Sequence, residues 1–192
     1  MIDQQTQAAL AQAESYMRSE NKEYLLRSGD RNDIVAVAED LHFKIILVEL
    51  NDSDGYVVIN DTEKIPRYDC NRLIAVNSEK SLKSKRYIIA WEISEYFKRK
   101  SESKGKPQRY TREIEVDDER VDEEEVNRVV ALLAARLLMP ETMMITMLDK
   151  MKGKPADWEK TVAKLSDYFK VPYTLAAERV RMMAPPTGER TL

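Results

Sequence analysis

Two helical runs constrain this chain most, because each carries more apolar surface than a helix lying on a protein surface can expose. From Ser84 to Lys100 the sequence reads SKRYIIAWEISEYFKRK, with an apolar and aromatic centre. From Val126 to Met139 it reads VNRVVALLAARLLM, and Pro140 then ends the run. A surface helix shows a single apolar stripe, so these two are expected to face one another inside the fold. Hydrophobic residues make up 43% of the 192 residues, enough for the core that such a pair demands.

What precedes them has a different rhythm. KIILVEL (Lys44 to Leu50), YVVIN after the turn-forming NDSDG, and NRLIAVN (Asn71 to Asn77) are β-branched runs separated by Asn, Asp, Gly and Pro. They predict three short strands, a small sheet that needs a helical cover. Ala8, Ala9, Leu10, Ala13, Tyr16 and Met17 recur at helical spacing before Gly29, and a second short helix starts at Ile34 behind a capping Asp33 and ends near His42. Gly105 and Pro107 interrupt the chain after the first apolar helix. An acidic connector follows, with nine carboxylates and one Arg between Glu113 and Glu125.

Beyond Pro140, TMMITMLDKM predicts a short helix and Gly153 and Pro155 a break. DWEKTVAKLSDYFK and TLAAERVRMM then form two helices about Val171 and Pro172, a helix-turn-helix outline, and PPTGERTL is expected to fray. The expected class is α+β, with a body over residues 1–150 and a C-terminal helical segment over 151–192 packed on it.

Charge narrows the function classes. A net charge of -3 argues against a nucleic-acid coat, although Lys80 to Arg109 carries ten bases against three Glu and the acidic connector reverses the sign. No apolar stretch approaches the roughly 18 residues of a membrane span, and the N-terminus lacks a signal-peptide pattern, so a cytoplasmic protein with no membrane partner is expected. Cys70 is the single cysteine and can form neither an intrachain disulfide nor a thiolate cluster; Ser94 lies near Glu92 but has no histidine with which to act as a nucleophile.

The informative heptapeptide is Ala90 to Tyr96. In H-E-x-x-H, two imidazoles four residues apart on one helical face reach one zinc while the intervening Glu activates its water. Here the same spacing reads W-E-x-x-E: Trp91, Glu92, Glu95. An indole has no lone pair for a metal, and the chain's single histidine, His42, lies elsewhere.

The stretch INDTEKIPRYDCNRLIAVNSEKSLKSKRYIIAWEISEYF, the later AARLLMP and LSDYFKVPYTLAAERV, in that order, resemble the ImmA/IrrE-like zinc peptidases. The resemblance runs from about Asp33 to Met183 and implies a zincin-like helical core. It places Glu92 at the general-base position, Trp91 and Glu95 at the two histidine ligands, and Asn127 at the third ligand, a glutamate; Glu123 and Glu124 lie about one turn earlier. With those positions altered, no bound metal or other cofactor is expected and the base position is a relic. Glu95 is expected to pair with Lys98 or Arg99 on the helix surface, a contact worth about 0.2–0.5 kcal/mol, and Trp91 to pack with Tyr87, Ile88 and Phe97.

Active members of that family act on helix-turn-helix repressors in bacterial stress responses or mobile elements. The resemblance therefore implies a noncatalytic regulatory or interaction protein, of phage or mobile-element type, binding a repressor or another host factor. Two alternatives stand beside it. One is direct DNA binding through the C-terminal helices, with Arg179 and Arg181 as contact residues. The other is a residual hydrolase using a hard ion held by Glu92, Glu95 and an acidic residue of the second helix.

Overall fold

The computed structural model describes residues 4–20, 22, 33–114, 125–151 and 158–183. The acidic connector from Glu115 to Glu124, the side chain of Asn127, the break at Gly153 and Pro155 and the PPTGERTL tail lie outside the described residues. Seven helices and four strands occur among those described: α1 (Gln4–Ser19), α2 (Ile34–Asp40), β1 (Phe43–Val48), β2 (Gly55–Asn60), β3 (Arg72–Asn77), α3 (Leu82–Glu102), β4 (Arg109–Ile114), α4 (Glu125–Leu138), α5 (Glu141–Met151), α6 (Trp158–Phe169) and α7 (Tyr173–Met183). The class is α+β.

Local chemistry explains the boundaries. The Asp33 carboxylate accepts from the backbone N–H of Val35 and Ala36 and caps α2, and the Ser81 hydroxyl accepts from Ser84 N to cap α3. His42, at φ 62°, turns the chain from α2 into β1. The strand order is β1-β3-β2-β4, with β1 parallel to β3 and β2 antiparallel to both β3 and β4. Gly55 is required where β2 meets β3, since a Cβ there would come within 2.3 Å of the Ala75 carbonyl oxygen.

The sheet therefore has four strands, one more than the sequence pattern predicts. RYTREI, from Arg109 to Ile114, reads as the polar approach to an acidic connector, yet it alternates: Tyr110, Arg112 and Ile114 point one way, and Arg109, Thr111 and Glu113 lie exposed on the other side. The register sets Ile114 beside Gly55, Arg112 beside Val57 and Tyr110 beside Ile59.

One face of the sheet, with Phe43, Val57, Ile59, Ile74, Val76 and Ile114, joins a continuous core with α1, α3 and α4. The β2–β3 connection folds over the opposite face, where the Tyr68 carbonyl accepts from Lys44 Nζ at 3.2 Å and Leu73 and Ala75 are buried. Helix α3 packs against α1, α2, α4 and β3, which accounts for its apolar centre. The C-terminal helices are tied to this body, α7 against α4 and α6, and Lys83 of α3 donates to Ser166 and Asp167 of α6. No single helix among the described residues is long and apolar enough to cross a membrane.

Asp61, in the β2–β3 connection, joins the layers. Its carboxylate accepts from Arg72 Nε at 3.0 Å and Gln108 N at 2.9 Å, and pairs with Lys100 Nζ at 2.6 Å. Burial alone would raise its pKa, but Lys100, the Gln108 N–H and Arg72 outweigh that and hold it below the ordinary carboxylate range. Lys100 and Asp61 side chains are only 8% and 7% exposed, so removing Asp61 leaves the Lys100 and Arg72 cations without their shared buried counter-charge. Asp61→Ala should cost about 3–5 kcal/mol in urea unfolding at neutral pH. The penalty should shrink as pH falls below about 4, through the lowered folded-state pKa, because the carboxylate that stabilises the fold is then protonated. A loss under about 1 kcal/mol would show the node to be dispensable.

Candidate functional site

The turn of α3 from Trp91 to Glu95 lies largely inside the protein, and most of its polar groups have partners within the fold. Glu92 is fully buried, and its Oε1 accepts from Arg112 Nη2 at 2.5 Å. Arg112 reaches it because the two-residue period of β4 turns that side chain toward the helices. Glu92 Oε2, Arg112 Nε and the Tyr110 hydroxyl are buried and have no hydrogen-bond partner among the described residues. Burial pushes the Glu92 carboxyl up to about 7, with Glu95 adding to the rise and Arg112 and Arg99 restraining it. Burial, then the Glu92 charge, also raises the Tyr110 phenol.

Glu95 pairs with Arg99, Nε to Oε1, at 2.6 Å. The partner is one of the two expected, but the setting is mixed: the Glu95 side chain is 11% exposed and sheltered, while the Arg99 side chain, 40% exposed, stays at the surface. Lys98, the other candidate, pairs with Glu102. The Arg99 guanidinium lies over the Tyr110 ring, 4.7 Å from its centroid, so α3 and β4 are joined here a second time. Trp91 is partly buried against the core and meets Tyr87 edge to face at 5.8 Å. Ser94, the other polar group of this turn, donates to the Ala90 carbonyl at 2.7 Å, an internal helix bond.

The expected contact residues of the C-terminal helices fall elsewhere. Arg179 is 4% exposed and donates from Nε to the Met139 carbonyl at 3.0 Å, just past the end of α4, where the last carbonyls have no partner within the helix. Burial, helped by Arg136 and opposed by Glu141, pushes its guanidinium down to about 10. An interior position corrects its expected place on a contact surface. Arg181 is exposed, but pairs with Glu178 and lies over Trp158.

With this geometry in hand, a comparison with protein families decides the lineage: the model described as the IrrE N-terminal-like domain matches residues 38–181. The chain belongs to the IrrE N-terminal-like peptidase family. A search of curated proteins finds no match.

The peptidase chemistry implied for this family needs zinc, and the residues present do not suit it. Trp91 offers no donor, the Glu95 carboxylate is committed to Arg99, and a catalytic zinc takes about three protein ligands. Among the described residues no group of three or more His, Cys, Asp or Glu side chains could hold a metal ion. The side chain of Asn127 and the carboxylates of Glu123 and Glu124 lie outside the described residues. Sequence reasoning missed Arg112 and Tyr110 altogether. Their signal was the alternation of Tyr110, Arg112 and Ile114, masked by the charge on Arg112 itself and by the polar Thr111 and Glu113 between them.

The Glu92 carboxyl has its own pH signature. Its folded-state pKa, about 7, lies above the value of about 4.3 expected in the unfolded chain, so stability is greatest below the lower value and is lost as pH rises toward the upper one. Glu92→Gln removes that dependence. The difference between wild-type and Glu92→Gln unfolding free energies should change by on the order of 1–3 kcal/mol between about pH 4.5 and about pH 7.5. Parallel profiles in urea titrations across that range would show that Glu92 titrates normally.

Proposed function

We propose that this chain is a noncatalytic regulatory protein that uses the IrrE N-terminal-like scaffold to bind another protein. The observation that carries this reading is the engagement of the W-E-x-x-E turn: Trp91 is packed on Tyr87, Glu92 is paired with Arg112 and Glu95 with Arg99. Water activation of the zinc-peptidase kind needs an open metal position and a base facing it, and these side chains are spent on packing and internal ion pairs instead.

The partner class follows from the kinship with peptidases that act on repressors: a helix-turn-helix repressor or another host factor, met in the cytoplasm in a phage or mobile-element setting. Protein binding is favoured over direct DNA reading by the position of α7. That helix spends Leu175, Ala176, Ala177 and Val180 on the core and Arg179 on Met139, which leaves it poorly placed to enter a groove.

The purified chain should carry substoichiometric zinc by plasma mass spectrometry. A protein partner recovered by pull-down from the native cell should bind without being cleaved, equally well to wild type, to chelator-treated protein and to Glu92→Gln. One tightly held zinc per chain, or partner cleavage that disappears in Glu92→Gln, would refute the noncatalytic reading.

A further inference from the structure

We infer that β1 is a self-association edge, through which two copies of this chain pair antiparallel and join their sheets, four strands from each copy, into one. The two ends of the sheet are unlike. At one end β4 is blunted by charge, with Arg109, Arg112 and Glu113 along its six residues. At the other, β1 is apolar on both faces from Ile45 to Val48, holds no proline or glycine, and leaves Leu47 59% exposed. Its one charge is turned away from the edge: Lys44 Nζ donates to the Tyr68 carbonyl over the outer face of the sheet.

The backbone of that edge is open as well. Ser78 N donates to the Val48 carbonyl, so Val48 faces β3. Successive residues turn their backbone groups to alternate sides, which leaves the N–H and C=O of Ile45 and Leu47 pointing outward, and no strand pairs with them among the described residues. A second copy fits because the edge complements itself. A two-fold axis through Ile46 sets Ile45 opposite Leu47 of the second copy on one face, the two exchanging both N–H···O bonds. It also lays the Lys44 end of each strand beside the Glu49 end of the other, opposite charges where a parallel pairing would align like with like. Association then stops at two, because the joined sheet ends in the charged β4 of each copy and no apolar edge is left to extend it. This pairing is independent of whether the chain is catalytic.

Sedimentation velocity of the full chain over a micromolar to submillimolar series should show the sedimentation coefficient rising with concentration from monomer to dimer. Leu47→Lys puts a cation on the edge at an exposed position, so it should leave the urea midpoint unchanged while weakening the dimer roughly tenfold or more. In a Cys70→Ser background, Ile46→Cys should form a disulfide-linked dimer under mild oxidation, since residues facing each other at the axis of an antiparallel pair lie within disulfide reach, and Thr111→Cys on β4 should not. A chain monomeric at every concentration, a dimer that Leu47→Lys leaves intact, or cross-linking no stronger at Ile46→Cys than at Thr111→Cys would each overturn the inference.

Discussion

Helix α3 runs through the middle of the fold, and most of the charges it carries there are met by a partner, several of them from other parts of the chain. Lys100 meets Asp61, Glu92 meets Arg112, Glu95 meets Arg99 one turn on, Lys83 meets Ser166 and Asp167, and Lys85 donates to the Ser78 carbonyl. An unpaired ion in that environment costs several kcal/mol, whereas a paired and hydrogen-bonded one is tolerated. The partners come from the β2–β3 connection, β4, the β3–α3 turn and α6. Helix α3 thereby dictates where those segments sit as well as being covered by them.

The same requirement governs Glu92. A glutamate at position 92 is expensive to bury, and a hydrophobic residue would fill the volume without that cost. Glu92 lies beside the guanidinium of Arg112 from β4, while Trp91 before it packs edge to face on Tyr87. In this IrrE N-terminal-like domain the polar interior is held by internal ion pairs.

Much of this was legible in the residues. The three β-branched runs became β1, β2 and β3, the Asp33 cap opens α2 as the pattern required, and the apolar runs became α3 and α4, packed against one another. The two C-terminal helices formed about Val171 and Pro172, with Ser166 donating to the Val171 carbonyl to close the turn. Strand β4 was not legible, because its inward face includes an arginine and its outward face carries Arg109 and Glu113, so the polar residues hid the alternation. The place of Glu95 was half legible: its partner four residues along the helix follows from spacing, but its shelter comes from the fold around it.

Sequence alone determined the periodicities, the caps and the W-E-x-x-E spacing, since each depends on residues within a few positions of one another. Tertiary structure alone decided that Arg112 answers Glu92 and that Arg179 turns inward to the Met139 carbonyl. Both bonds join segments 20 and 40 residues apart. Which distant group satisfies a buried carboxylate or an orphaned helix carbonyl depends on the packing that brings them together, and no local pattern in the chain encodes that choice.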